Sequence, residues 1–190
     1  MKLYVIRHGQ SVTNQTGCYT GWSQIPLTEK GVREAESIRP LLAGVPFDKV
    51  YASDLIRAQQ TARAALPGMD FEETALLREV GLGALEGTSI AALSAQDKET
   101  GLRDGYADWG GESREDFRAR IRSFMALAEK EDCEYMAAFS HRGWLMGMLA
   151  EVLEIPLPKN TVCCDNCAVA VFEYRNGQWR LYSWINRETV

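Results

Sequence analysis

Short apolar runs rich in strand-forming residues alternate along the chain with segments whose apolar positions follow helical spacing. This alternation is typical of an α/β domain, in which helices cover both faces of one sheet. The pattern predicts strands at residues 3–6, 49–52, 135–139, 169–174 and 179–184. The last two flank an Asn176-Gly177 pair, which favours a hairpin. We therefore predict an α/β fold, a three-layer α/β/α sandwich around a mostly parallel central sheet.

Helical patterns fill the intervals between these strands. Ser113, with Asp116 three residues later, predicts a capped helix start. The apolar stripe of that helix consists of Phe117, Ile121, Phe124 and Ala128. Residues 143–153 are apolar nearly all round, which predicts a buried helix. Pro40 predicts a kink or an early stop in the helical pattern that follows Gly31.

Composition indicates one folded domain. The chain has 190 residues, 46% hydrophobic and 25% charged, and no repeat or linker divides it, so we expect a single domain over 1–190. The net charge of −5 at pH 7 predicts no nucleic-acid partner, and a bound anion must rely on local arginines. No run approaches the about 20 apolar residues of a membrane span, and the N-terminus lacks a signal-peptide pattern. We expect a cytoplasmic protein with no membrane partner.

The cysteine content argues against a disulfide framework, because the five cysteines are odd in number. Three of them fall in the segment Cys163-Cys164-Asp165-Asn166-Cys167. A structural zinc site needs four ligands, and no second cysteine pair supplies the rest. We therefore expect free thiols beside a strand and no metal, with metal binding in this segment as the alternative.

The two histidines of the chain stand in similar contexts. His8 follows an apolar strand and lies between Arg7 and Gly9, and His141 follows another and precedes Arg142 and Gly143. Ligands of open α/β sheets bind at the carboxyl ends of the strands. Both histidines are therefore predicted to converge on one pocket, with His8 as a nucleophile for a phosphoryl group.

A third strand end adds Arg57, in the first turn of a helix that Ser53 or Asp54 is expected to cap. The positive end of that helix and the planar guanidinium both suit phosphate oxygens. The alternative is that Arg57 pairs with Asp54. Hydrolysis also needs a proton donor for the leaving oxygen, and Glu79 and Glu86 are the candidates. The residues alone do not distinguish these two.

Several stretches of the chain match the pattern of one known family. The most specific is Arg7-His8-Gly9-Gln10-Ser11-Val12-Thr13-Asn14. The others are residues 19–31 and 53–62, Glu79 with Gly83 and Glu86-Gly87, Gly111-Glu112-Ser113 with Arg120, Ser140-His141 and Asp165-Asn166. In these stretches, which occur in family order over nearly the whole chain, the sequence resembles the histidine phosphatase superfamily, the phosphoglycerate-mutase-like proteins.

The resemblance implies a phosphoglycerate mutase-like fold and a role for each matching residue. His8 attacks phosphorus and becomes phosphorylated. The phosphoryl oxygens are held by Arg7, Arg57 and His141, with Asn14 assisting. Glu79 takes the position of the acid/base and Glu86 becomes structural. Thr20 and Gly21 match a loop that contacts substrate in relatives, and no metal or other cofactor is implied.

The chain departs from the family pattern at two positions. Gln10 stands where many relatives have Glu, which we interpret as harmless at the pocket rim. Arg142 follows His141 where the family often has Gly, and we interpret it as one more cation for an acidic substrate, with a surface role as the alternative.

The family contains phosphatases and mutases, and the chain favours a phosphatase. Residues 84–111 are expected to form a small cap, shorter than the mutase insertion, with only Lys98 and Arg103 as basic residues. Mutase-type phosphoryl transfer and a non-catalytic phosphate-binding protein are the alternatives. The partner is predicted to be a small phosphorylated metabolite, and its identity and the oligomeric state stay open. Possible walls of the substrate site are Trp22, Tyr106 and Trp109.

Overall fold

The computed structural model describes residues 1–157 and 161–186, without the side chain of Leu102. Its strands are β1 (Lys2–Arg7), β2 (Lys49–Ser53), β3 (Glu72–Thr74), β4 (Tyr135–Ser140), β5 (Val169–Arg175) and β6 (Gln178–Ile185). Its helices are α1 (Val12–Thr16), α2 (Glu29–Ser37), α3 (Arg39–Leu42), α4 (Ile56–Ala65), α5 (Ala95–Asp104), α6 (Arg114–Ala128) and α7 (Arg142–Leu153). Short 3₁₀ turns lie at Ala75–Leu77, Gly83–Leu85 and Ala107–Trp109.

The strands form one sheet in the order β3-β2-β4-β1-β5-β6. Strands β1 to β4 run parallel, and β5 and β6 form an antiparallel hairpin at the edge beside β1. Asn176 and Gly177 have φ angles of 54° and 76°, as a tight primed turn requires. The predicted mostly parallel sheet and the hairpin are confirmed.

Alternate side chains of the central strands enter two separate cores. Leu3 and Val5 of β1 pack with Ile121, Phe124 and Trp144 of α6 and α7 on one face. Ile6 faces the other side, where α2 and α4 cover the sheet with small residues that include Ala35, Ala58 and Ala62. This two-residue alternation is what a sheet covered on both faces requires. The three-layer prediction is confirmed.

The helices that the sequence patterns predict are present, and they differ from the prediction at the start of α4. The α2 helix ends at Ser37, and Pro40 stands in the first turn of the short α3, which confirms the early stop. The Oγ of Ser113 accepts a hydrogen bond from the amide of Asp116, so the predicted cap of α6 is present. None of the described helices is long and apolar enough to cross a membrane.

The predicted cap of α4 by Ser53 or Asp54 is wrong. Its N-cap residue is Leu55, whose side chain makes no capping bond. The side-chain Oε1 of Gln24 instead accepts a bond from the amide of Ile56 at 2.8 Å. Asp54 is unavailable because Arg78 holds its carboxylate through Nε at 2.8 Å and Nη2 at 2.5 Å.

Candidate active site

His8 and His141 lie side by side because their strands are parallel neighbours. Arg7, the last residue of β1, pairs in register with Ser140, the last residue of β4. Each histidine follows its strand directly, and the centroids of the two rings are 5.1 Å apart. Their side chains are almost fully removed from solvent, with 5% and 0% exposed. The predicted convergence of the two histidines is confirmed.

Hydrogen bonds define which nitrogen of His8 carries the proton. Its Nδ1 lies 2.7 Å from the carbonyl oxygen of Gly9, which can only accept. The Nδ1 atom is therefore the donor, and Nε2 keeps an unprotonated lone pair. The Nε of Arg57 donates to this Nε2 at 3.3 Å, which agrees with that tautomer. His8 Nε2 is thus the ring nitrogen with a lone pair available for nucleophilic attack.

The surroundings of His8 keep its ring neutral. Burial is the largest cause that lowers its pKa well below the ordinary value, and the charges of Arg57 and Arg7 lower it further. Burial therefore contributes more to this shift than the two nearby cations do. A neutral imidazole is the form that can attack phosphorus.

Arg57 is fixed in the pocket by backbone carbonyl groups. Its side chain is 1% exposed, and its Nη2 and Nη1 donate to the carbonyl oxygens of Gly21 at 2.8 Å and Ser23 at 3.0 Å. Burial lowers its pKa to about 10, so the guanidinium stays charged near neutral pH. The alternative pairing with Asp54 is wrong, because that carboxylate is bound by Arg78.

Three buried nitrogen atoms of the pocket have no partner among the described residues. They are Nε of Arg7 and both ring nitrogens of His141. Buried polar atoms are nearly always hydrogen-bonded, and Arg7 Nε and one nitrogen of the His141 ring are donors, so this arrangement suits a bound group with acceptor oxygens. Arg7 is held from behind, since its Nη1 donates to the carbonyl of Cys164 at 2.6 Å. A tetrahedral oxyanion such as a phosphoryl group meets this requirement.

The side chain of Glu79 contacts the first turn of α7, the helix that follows His141. Its Oε2 accepts from the amide of Gly143 at 3.0 Å, and its Oε1 accepts from the amide of Val80 at 3.0 Å. A β-carbon on Gly143 would collide with Oε1, so glycine is what allows this approach. Burial lowers the pKa of Arg7 and of Arg57, and the charge of Glu79 opposes that shift, as expected for a carboxyl in the same pocket.

Glu86, the other acid candidate, is committed to the loop that carries the carbonyl partners of Arg57. Its Oε1 accepts from the amide of Trp22 at 2.6 Å and its Oε2 from the amide of Ser23 at 2.8 Å. The Ser23 hydroxyl donates to the same oxygen. These contacts agree with a structural Glu86.

The remaining predicted ligand residues sit around the pocket with part of their bonding capacity used. Asn14 completes the capping box of α1, in which its Oδ1 accepts from the amide of the N-cap residue Ser11 at 3.1 Å. This contact leaves the side-chain amide hydrogens of Asn14 available. The Thr20 hydroxyl donates to Thr13. Gly21 lies behind Arg57, where its carbonyl is used, and a β-carbon there would meet the backbone of residues 80–82.

Arg142 and Gln10 differ in how they are held. The side chain of Arg142 makes no hydrogen bond or ion pair within residues 1–157 and 161–186. Its charge adds to the effect of burial in lowering the pKa of Arg7. The guanidinium is therefore near the pocket and uncommitted. The Oε1 of Gln10 accepts from the hydroxyl of Thr28 at 2.9 Å, which joins the two ends of the 10–28 segment.

The aromatic residues suggested as walls have different roles. Trp22 is 41% exposed, and its Nε1 donates to the carbonyl of Glu79 at 2.9 Å, so it supports the backbone of Glu79. Tyr106 is half-buried in the segment 84–111, where its ring centroid lies 6.1 Å from that of Trp109. Burial, followed by the charges of Tyr19 and Glu79, raises the pKa of Tyr106 to about 12. Tyr106 therefore lies near Glu79.

The five cysteines are free thiols in the structure. Cys164 and Cys167 are buried and Cys163 is exposed. Their loop supports the histidine pocket through its backbone and through Asn166, whose Nδ2 donates to the carbonyl of His8 at 3.0 Å. Burial raises the pKa of the Cys164 thiol to about 11, so it is protonated near neutral pH.

Comparison with known proteins gives a consistent result over the whole chain. The model of the histidine phosphatase superfamily (branch 1) matches residues 3–187. The chain is 34% identical over 169 residues to the adenosylcobalamin/alpha-ribazole phosphatase of Salmonella typhimurium, covering 82% of this chain and 81% of that protein. It is 30% identical over 187 residues to the 2,3-bisphosphoglycerate-dependent phosphoglycerate mutase 2 of Gloeobacter violaceus, covering 91% and 85%.

Among solved structures, the phosphoglycerate mutase from Thermus thermophilus superposes with a TM-score of 0.77 at 27% sequence identity. The match covers 99% of this chain and 100% of that one. The expected phosphoglycerate mutase-like fold is therefore confirmed.

Proposed function

The chain belongs to branch 1 of the histidine phosphatase superfamily, and we propose that, as a phosphatase of that family, it hydrolyses a small phosphomonoester through phosphohistidine at His8. One observation carries this proposal: the unprotonated His8 Nε2 and the unpartnered nitrogens of Arg7 and His141 lie in the same pocket. A nucleophile and a cradle for phosphoryl oxygens stand together in a buried site. Phosphoryl transfer depends mainly on such positioning and charge.

In the first step, His8 Nε2 attacks phosphorus and the bond between phosphorus and the leaving oxygen breaks. Arg7, Arg57 and His141 hold the equatorial oxygens, with Asn14 assisting. The His8 ring gains positive charge as the new bond forms. Its Nδ1–H donates to the Gly9 carbonyl, and that bond strengthens as the charge develops.

Glu79 gives its proton to the leaving oxygen, so that an alcohol departs rather than an alkoxide. In the second step it takes a proton from the water that attacks phosphohistidine. Inorganic phosphate then leaves and His8 is restored. The two arginines and the imidazole supply the stabilising groups, so this route uses no metal ion or other cofactor.

Water is the proposed acceptor, rather than a second substrate. Arg103, one of the two basic residues of segment 84–111, is exposed and pairs with Asp104 at 2.7 Å, so it is not held toward the pocket as a substrate ligand. The similarity to an alpha-ribazole phosphatase supports hydrolysis, and the similarity to a phosphoglycerate mutase supports the alternative of transfer to a substrate.

The test is capture of the intermediate. Enzyme mixed with labelled substrate and quenched in base should carry phosphate in an acid-labile, base-stable form, and His8→Ala should carry none. A panel of sugar, nucleotide and small-acid phosphates then ranks substrates by phosphate release. Rapid isomerisation of 3-phosphoglycerate with little release would favour the mutase alternative. No phosphoenzyme and no release from any ester would refute the enzymatic proposal.

A further inference from the structure

Arg120 on α6 holds the irregular backbone on which the proposed acid sits. Its Nη1 donates to the carbonyl oxygens of Arg78 at 2.7 Å and Leu76 at 3.1 Å, and its Nη2 donates to that of Glu79 at 3.0 Å. The side chain of Arg120 is only 13% exposed. A single guanidinium thus holds the backbone carbonyls of three residues between 76 and 79, including that of Glu79 itself.

Glu112 fixes the other side of the same segment. Its two oxygens accept from Nε and Nη2 of Arg120 at 2.8 and 2.7 Å, a planar two-bond pairing. Its Oε2 also accepts from the amide of Gly81 at 2.8 Å, and its own amide donates to the Gly81 carbonyl at 2.8 Å. The backbone is therefore held two residues after Glu79 as well as before it.

These contacts bear on proton transfer because Glu79 has no regular element of its own. It follows a 3₁₀ turn, Ala75–Leu77, and its carboxyl oxygens are positioned by the amides of Val80 and Gly143. A buried ion pair is weak evidence for net stability, since the cost of desolvating two charges offsets their attraction. What the pair adds is a defined geometry at residues 78–81.

We propose that the Arg120–Glu112 pair is a positioning device for the acid, which aims the Glu79 carboxyl at the leaving oxygen while taking no part in binding the phosphoryl group. This inference rests on the proposed function of Glu79. It follows that disturbing the pair should slow formation of phosphohistidine only for esters whose leaving oxygen must be protonated. Esters whose leaving group departs unaided should phosphorylate His8 almost as before. Hydrolysis of phosphohistidine, in which Glu79 acts as the base, is common to both kinds of ester.

The experiment compares kcat/KM for an alkyl phosphate and for p-nitrophenyl phosphate in the charge-balanced variant Arg120→Met/Glu112→Gln, because kcat/KM reports the steps up to phosphohistidine formation. Displacement of a catalytic group by about 1 Å can cost about 100-fold in rate, so we expect a loss of that order in kcat/KM for the alkyl ester. For the aryl ester we expect kcat/KM within about threefold of wild type, because protonation contributes little there. The affinity for inorganic phosphate should stay unchanged.

Arg118→Met/Glu151→Gln is the matched control. Arg118 stands on the same helix and also pairs with a glutamate, at 2.5 Å, but its partner lies on α7 away from the acid segment. The control variant should leave kcat/KM for both esters near wild type. Arg120→Lys keeps the positive charge with fewer donors, and it provides the same comparison, with a smaller selective loss, if the double variant does not fold.

Glu79→Gln separates failure of this inference from failure of the function proposed for Glu79. If Glu79 is the acid, Glu79→Gln lowers kcat/KM selectively for the alkyl ester; without that selectivity the proposed function of Glu79 is wrong. If Glu79→Gln shows the selectivity but the Arg120 variants lose both substrates equally, or lose neither, the positioning role is refuted.

Discussion

The Nε of Arg57 lies 3.3 Å from Nε2 of His8, so the guanidinium that we propose to hold the phosphoryl group also contacts the proposed attacking atom. The other two nitrogens of Arg57 are fixed by the carbonyls of Gly21 and Ser23. The planar side chain of Arg57 therefore fixes the His8 ring relative to the loop at Gly21 and Ser23. Lysine has a single nitrogen and cannot make these three contacts at once.

We therefore expect Arg57→Lys to lower kcat/KM by at least about 100-fold, the usual cost of losing one preorganised donor to transition-state charge. Steady-state hydrolysis of the best ester in the panel measures this. Arg63→Lys is the control, because Arg63 lies on the same helix and, among the described residues, contacts Gln59 and the Phe71 ring rather than the pocket. A change of less than threefold in Arg57→Lys would contradict the assigned role.

Gly143→Ala tests the approach of the acid to α7. The added β-carbon collides with Oε1 of Glu79, so the carboxyl must move away from the leaving oxygen. We expect kcat for alkyl phosphates to fall by about 10- to 100-fold, with less effect on aryl phosphates. Gly147→Ala, one turn further along, meets the flexible end of Ile121 instead. It should change thermal stability and leave kcat alone; equal kcat losses in both variants would refute the prediction.

Glu86→Gln tests the loop behind Arg57. The carboxylate of Glu86 holds the amides of Trp22 and Ser23, so its loss should loosen the carbonyls that orient the guanidinium. We expect weaker phosphate binding, with the inhibition constant of inorganic phosphate raised by about 10-fold, since charge-assisted bonds contribute about 1.5–3 kcal/mol each. Glu73→Gln, in the exposed part of β3, is the control. Unchanged inhibition in Glu86→Gln would show that Arg57 needs no such support.

The two buried imidazoles should make stability depend on pH. Burial, followed by the charge of Arg57, lowers the pKa of both His8 and His141 well below 6.5. Below about pH 6.5 the unfolded chain binds protons that the folded chain does not, so stability falls as pH decreases, by up to about 1.4 kcal/mol per pH unit for each ring. Above that pH these rings contribute no slope.

Urea unfolding from about pH 7.5 to 5.5, in buffer free of phosphate, measures this slope while most carboxyl groups remain ionised. His8→Asn and His141→Asn should each reduce the slope of stability with pH, whatever the stability of these variants at about pH 7.5. A slope that both variants leave intact would mean that other groups cause it.

Arg142→Ala distinguishes a substrate contact from a surface role. Arg142 has no hydrogen-bonded partner in the described part of the chain, so its removal should leave the phosphoenzyme step intact for neutral leaving groups. For esters with a second anionic group we expect KM to rise about 5- to 10-fold, the range for one partly exposed charged contact. If the substitution leaves KM unchanged for both ester classes, the surface role is favoured.

The sequence specified those parts of the site that follow from strand ends. His8 and His141 could be placed together because buried strands precede both, and parallel strands end at one edge. The resemblance was needed to choose Glu79 over Glu86. Their difference lies in which backbone amides each carboxylate meets, and that depends on loops without periodicity.

Contacts between distant, irregular segments escaped prediction. Gln24 caps a helix that begins at Ile56, and Arg78 holds Asp54; neither pair has a spacing that marks it. The α5 helix and the three-residue β3 were also missed. Both are largely exposed, so neither shows the apolar periodicity that reveals a packed element.

The central position of β1 has a consequence for how the enzyme is made. Leu3 pairs with Met136 on one side and with Phe172 on the other, so both neighbours of the first strand come from the far end of the chain. A ribosome therefore produces the nucleophile long before the strands that enclose it. Contacts of such long sequence separation form slowly, and the unpaired strand is prone to aggregate meanwhile. We expect catalytic competence to appear only late in synthesis, and nascent chains that end before β5 to depend on chaperones.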